Sequence, residues 1–306
     1  MMLIIGLAFA GEVCTTYGAP EETVQVNSGF PNIQASGLAA ARLEDDLYYT
    51  HDDNKGDAAL YVVRGDGTFV IEQTVTGATN EDWEDIASGP CPASVDAEHC
   101  LWIADIGDND QIRTSVDAWV VRESTAAEEP AVRCPLLYPE GRSHDAEAMF
   151  ITPDGTLRIV TKDNDHAKVF RLSDPQCDGG EPQLLTEEAE IFLEEPVTGA
   201  AMSPDGASVV LRGLTKAWLW TGCALKWNGD YVDVDLGVQP QGEAVAYAND
   251  GSLVSTSEII DTEPVRLWRT PCAETAPLEC ADCGCGGEAA FLLLLPIGAW
   301  TRRRRG

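Results

Sequence analysis

One pattern of short apolar segments recurs five times along this chain, and it constrains the fold more than any other feature of the sequence. Each repeat opens with a small or acidic residue that is followed by apolar residues. The spacing of successive openings runs from 44 residues (199 to 243) to 63 residues (84 to 147). Such a period indicates repeated structural units that pack against their neighbours. The five openings lie at 36–39, 84–87, 147–150, 199–202 and 243–246.

Further apolar stretches follow each opening, and all are too short for helices. They are rich in β-branched and aromatic residues and show no helical period, which indicates strands. Tight turns ending in Asp-Gly follow three of the openings, at 152–155, 203–206 and 248–251. These turns are typical of hairpins because Gly accepts positive φ. Predicted second strands occupy 47–50, 101–104, 157–160, 208–211 and 253–256, and predicted third strands occupy 60–63, 118–121, 168–171, 217–220 and 265–268.

A weaker fourth strand completes most of the repeats. It is predicted at 68–74, 136–138, 183–185 and 231–236, whereas the fifth repeat has none before the C-terminal segment. A strand-like stretch at 23–27, near the N-terminus, could fill that place. We therefore predict an all-β fold, a β-propeller of five four-stranded blades whose ring is closed by this N-terminal strand. The alternatives are a six-bladed ring, with a further blade hidden in 125–140 or 181–197, and an open β-sandwich.

The two ends of the chain lack the repeat, and they predict export. Residues 1–10 form an apolar run that ends in Ala-Phe-Ala, a pattern that signal peptidase accepts. The C-terminal segment combines Cys and Gly residues, an apolar run at 289–300 and four arginines at 302–305. That run is shorter than the ~20 residues of a membrane-spanning helix. We expect a signal peptide at 1–10, the propeller domain at 11–275 and a sorting segment at 276–306, which makes the only membrane contact.

The net charge limits which partners the protein can bind, and the cysteine content indicates the compartment in which it folds. The formal net charge is −31, from 51 acidic and 20 basic residues. Nucleic acid is therefore excluded as a partner, and anionic lipid as a partner of the body, because like charges repel. The chain has 10 cysteines, and most are scattered without the paired spacing of a zinc site, which favours disulfides in an oxidising compartment. Cys91 and Cys100 flank a short polar insert and are the predicted pair, while the other pairings stay open.

Blade topology predicts where a site lies, although the sequence contains no recognisable catalytic motif. In a blade, the start of the first strand and the end of the second lie on the same face of the ring. Those two positions carry most of the unusual polar residues, and loops on one face of a rigid scaffold often carry function. Hard oxygen ligands suit calcium. The predicted metal ligands are Asp52, Glu84, Asp85, Asp108, Glu147, Asp163, Glu243 and Glu258.

The same face also carries basic side chains, which allow a second chemistry. Among carboxylates, they could hold a phosphate or carboxylate ligand, with a carboxylic acid of raised pKa for catalysis. The predicted ligand-binding residues are His51, Lys162, Arg212 and Lys216. A third interpretation is that the polar residues of this face only build turns and cap strands. The catalytic residues stay unassigned.

Several motifs of the body resemble those of exported bacterial propeller proteins of unknown function. Those proteins are similar to the propellers described as having an esterase-like activity of phytase. The resemblance covers residues 36–270 and implies calcium on the acidic face, without mapping a catalytic residue. The motifs lie at 80–87, 104–109, 145–148, 197–200, 203–206 and 240–244.

The C-terminal segment resembles the MYXO-CTERM type of sorting tail over residues 280–306. It has the order of Cys and Gly, apolar run and Arg cluster, but its apolar run is short and contains Pro296. The resemblance implies processing near the cysteines and a protein held at the cell surface or outer membrane, or released from it. Three functions fit: a surface binding protein with an acidic, calcium-binding mouth, a calcium-assisted hydrolase of esters or phosphoesters, and an adhesion scaffold. The ligand and the oligomeric state do not follow from the sequence.

Overall fold

A computed structural model of the chain consists of small β-sheets arranged in a ring. It describes residues 12–21, 24–27, 29–31, 33–222, 225–227, 231–257 and 264–277. Each of five larger sheets places one strand innermost, and these five innermost strands contact one another around the axis. The chain is a five-bladed β-propeller, which confirms the predicted fold class and excludes the six-bladed ring and the open sandwich.

The strands are β1 (Glu12–Tyr17), β2 (Val24–Gln25), β3 (Ala35–Ala40), β4 (Leu47–Asp52), β5 (Ala59–Arg64), β6 (Phe69–Thr76), β7 (Trp83–Pro90), β8 (His99–Asp105), β9 (Val116–Arg122), β10 (Glu128–Pro130), β11 (Val132–Leu137), β12 (Ala146–Ile151), β13 (Leu157–Thr161), β14 (Ala167–Leu172), β15 (Gln183–Leu184), β16 (Thr186–Ile191), β17 (Val197–Met202), β18 (Ser208–Gly213), β19 (Ala217–Thr221), β20 (Val232–Val234), β21 (Gly242–Tyr247), β22 (Leu253–Ser257), β23 (Arg266–Thr270) and β24 (Cys272–Pro277). In blades 1 to 4 the strands follow chain order outward from the axis, whereas in blade 5 the N-terminal β2 is outermost. Blade 1 contains β3–β6 and β10, blade 2 contains β7–β9, β11 and β15, blade 3 contains β12–β14 and β16, blade 4 contains β17–β20, and blade 5 contains β21–β23 and β2.

Blades 1 and 2 each carry a fifth strand that pairs in parallel with the fourth. β10 adds to β6, and β15 adds to β11. The prediction that 183–185 forms the outer strand of blade 3 is therefore wrong, because Gln183–Leu184 belongs to blade 2 and β16 completes blade 3. The physical reason is a disulfide: Cys177 is bonded to Cys134 in β11, which holds the segment before β15 against blade 2.

The two chain ends meet at blade 5 and close the ring. β2 pairs antiparallel with β23 as the outer strand of this blade, as predicted. In addition, β1 and β24 form a separate two-stranded ribbon that Cys14 and Cys272 cross-link. The predicted Cys91–Cys100 bond is also confirmed. The four remaining cysteines, 223, 280, 283 and 285, lie outside the described residues.

Apolar side chains fill the space between adjacent blades. The described residues form five core clusters, one for each contact between neighbouring blades. Near the axis the strands approach so closely that small residues are required. A Cβ at Gly199 of β17 would lie 2.6 Å from the carbonyl oxygen of Glu243 in blade 5. Burial of apolar side chains in these five clusters is the main favourable contribution to folding.

The described residues contain three disulfides, which indicate an extracellular protein. Their only helical element is a 3-10 turn at Pro139–Gly141, so no helix in this part of the chain could cross a membrane. The predicted signal peptide lies outside the described residues. So does the predicted sorting segment beyond Pro277, where β24 ends.

Candidate functional site

The second residue of each innermost strand is polar and buried. A β-bulge interrupts the pairing of the first and second strands at or next to this position in all five blades. Bulges re-aim a side chain and are common beside functional sites. We call the end of the ring where these residues lie the mouth. The five residues are Ser36, Glu84, Glu147, Thr198 and Glu243, each 1–7% exposed.

The two hydroxyl residues among these five join neighbouring blades. The Ser36 hydroxyl donates a hydrogen bond to the carbonyl oxygen of Glu84 at 2.8 Å. The Thr198 hydroxyl donates to the carbonyl oxygen of Gly242 at 2.9 Å. These contacts fix adjacent innermost strands to each other. The other three members of the set are glutamates, and they carry its charge.

One lysine is shared by the three glutamates of the mouth. Lys162, directly after β13, forms an ion pair with Glu147 and interacts electrostatically with Glu243 and Glu84. The second carboxylate oxygen of Glu147, Oε2, is buried and has no hydrogen-bond partner. Fully ionised, these three glutamates and Lys162 by themselves hold three negative charges against one positive charge, and Arg212 adds a second positive charge beside Glu243.

The environment of the mouth changes the pKa of these groups. Burial raises the pKa of Glu147 to about 8, Glu243 adds to the rise, and Lys162 opposes it. Burial also raises the pKa of Glu84 well above its usual value, and repulsion from Glu147 adds to it. Burial acts to lower the pKa of Lys162, but the three glutamates together raise it. The mouth therefore binds protons tightly when no other cation neutralises it.

We expect the protein to lose stability as the pH rises from about 5 to about 9. Glu147 has a pKa of about 8 when folded and 4.5 as a free side chain, so the native state holds more protons between these values. Stability falls with pH wherever the native state binds more protons than the unfolded state. The melting temperature should drop by roughly 5 °C over this range, and Glu147→Gln should remove much of the drop.

The matched control for this measurement is Glu188→Gln. Glu188 pairs with Arg158 in blade 3, and its pKa is lowered, although its burial acts to raise it. The Glu188→Gln variant should lose stability between pH 5 and pH 9 to the same extent as the unmodified protein. A melting temperature that stays constant or rises from pH 5 to pH 9 in the unmodified protein would contradict the assignment.

Asp85 lies inside the ring rather than in the glutamate cluster. Its carboxylate accepts hydrogen bonds from the backbone N–H groups of Ile86 (2.8 Å), Met149 (2.8 Å) and Ala200 (3.2 Å). These donors belong to blades 2, 3 and 4. Burial raises the pKa of Asp85 well above its usual value, and the three hydrogen bonds oppose the rise. The geometry gives this residue a role in joining blades at the axis.

Arg212 and His51, predicted ligand-binding residues, are fully buried between blades. The Arg212 guanidinium donates to the carbonyl oxygen of Ala244 (3.2 Å) and to Oε1 of Gln239 (2.8 Å), and burial lowers its pKa to about 10. The His51 ring contacts Trp83 edge to face, and burial lowers its pKa to about 4. His51 is therefore neutral at physiological pH, whereas Arg212 stays charged next to the mouth.

Other predicted residues lie apart from the glutamate cluster. The Asp52 carboxylate accepts hydrogen bonds from the backbone of Gln34 and Asn54, and the Asp108 carboxylate accepts them from Ile112 and Arg113. Their oxygens stabilise turns, as the third interpretation of the sequence holds for such residues. Of the remaining three predicted residues, Asp163 accepts a hydrogen bond from the Thr161 hydroxyl, and Lys216 pairs with Glu194 at the surface. The third, Glu258, lies outside the described residues.

Sequence reasoning missed Arg113. Its guanidinium pairs with the buried Asp105 at 3.0 Å and donates to the carbonyl oxygen of Gly107 at 2.8 Å. This pair fixes the loop between β8 and β9, and a Cβ at Gly107 would lie 2.1 Å from Oε1 of Glu84. The loop thus forms one wall beside Glu84. The position of Arg113, a lone basic residue just after the acidic stretch at 105–110, was the sequence signal from which its role could have been predicted.

Within the described ranges, no three His, Cys, Asp or Glu side chains are arranged to hold a metal ion. The glutamates of the mouth interact with Lys162 instead. Chemically, the arrangement offers three hard carboxylate donors, one of them with an unpartnered oxygen, and one ammonium that competes for them.

Comparisons with known proteins identify no family. No family model matches the chain, and no curated protein matches it significantly. Among solved structures, the neighbours are β-propeller proteins. A calcium-binding regucalcin from Agrobacterium tumefaciens is 11% identical, with a TM-score of 0.47 over 86% of this chain and 97% of that one. A luciferin-regenerating enzyme is 10% identical, with a TM-score of 0.46 over 85% and 98% of the two chains. Likeness at this level carries no conclusion about ligand or activity.

Proposed function

We propose that this protein is an exported binding protein whose mouth takes up a cation, with calcium as the first ion to test. The observation that carries the proposal is the sharing of one ammonium group by three buried glutamates from three blades. Burying carboxylates without full compensation is costly. A divalent cation that reaches them would remove that cost.

Binding of such an ion requires Lys162 to leave its place. About a third of the Lys162 side chain is exposed, so its ammonium can move into solvent on a flexible stem. Glu84, Glu147 and Glu243 would then close around the ion with their carboxylate oxygens, the donors that calcium prefers. The described residues form no ready metal arrangement while Lys162 occupies the mouth, so the proposed site forms only once Lys162 has moved.

The test is a calorimetric titration of the mature protein with calcium chloride. We expect binding that the triple variant Glu84→Gln, Glu147→Gln, Glu243→Gln abolishes. The matched control removes the same three charges from exposed positions by replacing Glu98, Glu128 and Glu181 with Gln. That control should bind as the unmodified protein does. Equal calcium binding by both variants would contradict the proposal, since the ion would then be held by general surface charge.

Proton release gives a second readout of the same titration. Because the pKa values of Glu84 and Glu147 are raised, calcium should displace protons from the mouth near pH 7. The measured heat should therefore depend on the ionisation enthalpy of the buffer. A heat that is identical in PIPES and Tris buffers would show that calcium binds elsewhere.

We also propose that the protein is displayed at the cell surface through a MYXO-CTERM-type sorting segment. The three disulfides support an extracellular compartment, and the Cys, apolar and Arg order of 280–306 supports the sorting route. Protease treatment of intact cells that express the protein should degrade it. Deletion of residues 289–306 should release it into the medium.

Hydrolysis of an ester or phosphoester is a second candidate function. One observation favours it: Glu147, with a pKa of about 8, holds a proton near neutral pH that it can donate, and the Lys162 ammonium beside it can pair with an anionic substrate group. Turnover of p-nitrophenyl esters, p-nitrophenyl phosphate or phytate in the presence of calcium should then disappear in Glu147→Gln. No turnover of any of these substrates would eliminate this candidate.

A further inference from the structure

The ammonium group of Lys162 shows which kind of cation the mouth can hold. Lys162 follows β13 directly, and its ammonium pairs with Oε1 of Glu147. It also interacts electrostatically with Glu84 and Glu243, which belong to two other blades. About a third of its side chain is exposed, so it lies at the boundary between the glutamates and the solvent. The mouth therefore already binds one alkylammonium group, which its own chain supplies.

The glutamates can accept more hydrogen bonds than Lys162 donates. Among the described residues, the Lys162 ammonium donates to Glu147 alone, although an ammonium carries three N–H donors. Glu147 is 5% exposed, and its other carboxylate oxygen, Oε2, is buried without a hydrogen-bond partner. A buried acceptor without a partner is costly. An ammonium ligand that no stem ties to β13 can donate to both oxygens, which would remove this cost.

Three half-buried aspartates continue the negative charge of the mouth outward, and they are Asp53, Asp82 and Asp145. They lie close enough to the buried glutamates to repel them electrostatically. Asp82 borders the same wall as Glu84, because a Cβ at Gly107 would touch both carboxylates. The partner of Asp82 is the ammonium of Lys55, which is largely exposed and therefore weakly held. A second positive charge can thus be bound outside the first.

Two sets of carboxylates at different depths match a ligand that carries two separated positive charges. Linear di- and polyamines have ammonium groups joined by methylene groups, and ammonium–carboxylate hydrogen bonds are strong. Such a ligand needs no metal coordination sphere, which the described residues do not form while Lys162 is in place. We propose that the mouth binds a linear di- or polyamine, with Glu147 as its inner and Asp82 as its outer anchor. This ligand class rests on the cation uptake proposed above.

The test is a calorimetric titration of the mature protein with 1,4-diaminobutane, spermidine and butylamine in a buffer free of primary amines. We expect the first two to bind, and butylamine, which has one ammonium, to bind at least about tenfold more weakly. Glu147→Gln should weaken the binding of 1,4-diaminobutane about tenfold. Glu98→Gln, which removes an exposed charge at the opposite end of the ring, is the matched control and should bind as the unmodified protein does.

Two further variants separate the anchors from effects on folding. Asp82→Asn should weaken the binding of 1,4-diaminobutane and leave that of butylamine unchanged, because a single ammonium stays with the inner glutamates. Asp96→Asn, at an exposed position of the opposite end, is its control. Lys162→Met should bind 1,4-diaminobutane more tightly, a gain that poor folding cannot produce. Equal binding of this diamine by Glu147→Gln and the unmodified protein would overturn the proposal.

Competition with calcium separates this proposal from the cation uptake on which it rests. Calcium should bind more weakly in the presence of 1,4-diaminobutane, because both ligands displace Lys162. Binding of calcium but of none of the amines would overturn the polyamine and leave calcium uptake in place. Binding of neither would overturn both. Tighter binding of an end-blocked dilysine peptide than of 1,4-diaminobutane would assign the mouth to lysine side chains of a protein and would overturn a small-molecule ligand.

Discussion

Replacing both Cys14 and Cys272 with serine is expected to lower the free energy of unfolding by about 5 kcal/mol. The bond joins residues 258 positions apart, so it restricts nearly the whole unfolded chain. Loop-closure entropy grows with loop length, which makes this the largest effect among the three described disulfides. The melting temperature should fall by roughly 10–20 °C in differential scanning calorimetry.

The matched control is the double serine variant of Cys91 and Cys100. That bond closes a loop of only 9 positions, so its loss should cost about half as much. Equal losses for the two variants would contradict a stabilisation that grows with the length of the loop that each bond closes. The melting curve of the Cys14 and Cys272 variant should also match that of the fully reduced protein more closely than the control does.

Asp85→Ala is expected to lower the free energy of unfolding by about 3–5 kcal/mol, the second largest effect. The substitution leaves the backbone N–H groups of Ile86, Met149 and Ala200 without an acceptor at the axis of the ring. These donors come from three blades, so the loss is not confined to one sheet. Urea unfolding followed by tryptophan fluorescence measures the change.

Asp154→Ala serves as the control for Asp85. Asp154 accepts a hydrogen bond from the backbone N–H of Thr156 in the turn between β12 and β13, near the surface. Water can replace that acceptor, so the loss of stability should be much smaller. If the two variants lost equal stability, or if Asp85→Ala were neutral, the role of Asp85 at the axis would be disproved.

Much of the ring was predictable because its signals are local. Turns such as 203–206 and the short apolar runs specify strands and hairpins from neighbouring residues. The N-terminal strand at the edge of blade 5 was predictable because one blade lacked a fourth strand. The position of Gln183–Leu184 was not predictable, since it depends on parallel pairing with β11 and on the Cys134–Cys177 bond, and neither leaves a local pattern.

The site was predictable in part for the same reason. The placement of Glu84, Glu147 and Glu243 at one end of the ring was predictable because strand order alone brings the starts of the innermost strands together. Asp52 and Asp108 have the same chemistry, but their carboxylates turn back to nearby backbone groups, a choice that residue type does not reveal. His51 is buried because Gly37, at φ 68°, lacks the Cβ that would lie 2.5 Å from Nε2 of His51.

The proposed cation site rests on the place that Lys162 occupies among the three glutamates. Removing its ammonium by Lys162→Met leaves the carboxylates without their internal counter-charge. The variant should be less stable than the unmodified protein in EDTA, because it buries unpaired charge. Calcium should restore this stability by binding to the folded state. Lys168→Met, which breaks the outer pair with Glu187 in blade 3, is the matched control.

Calcium titration of Lys162→Met beside the unmodified protein is the most direct test of the cation-binding mouth. We expect the variant to bind calcium at least about tenfold more tightly, since the competing ammonium is gone. Lys168→Met should bind as the unmodified protein does. An affinity of Lys162→Met equal to or weaker than that of the unmodified protein, or no calcium binding by either, would contradict a cation site at the mouth.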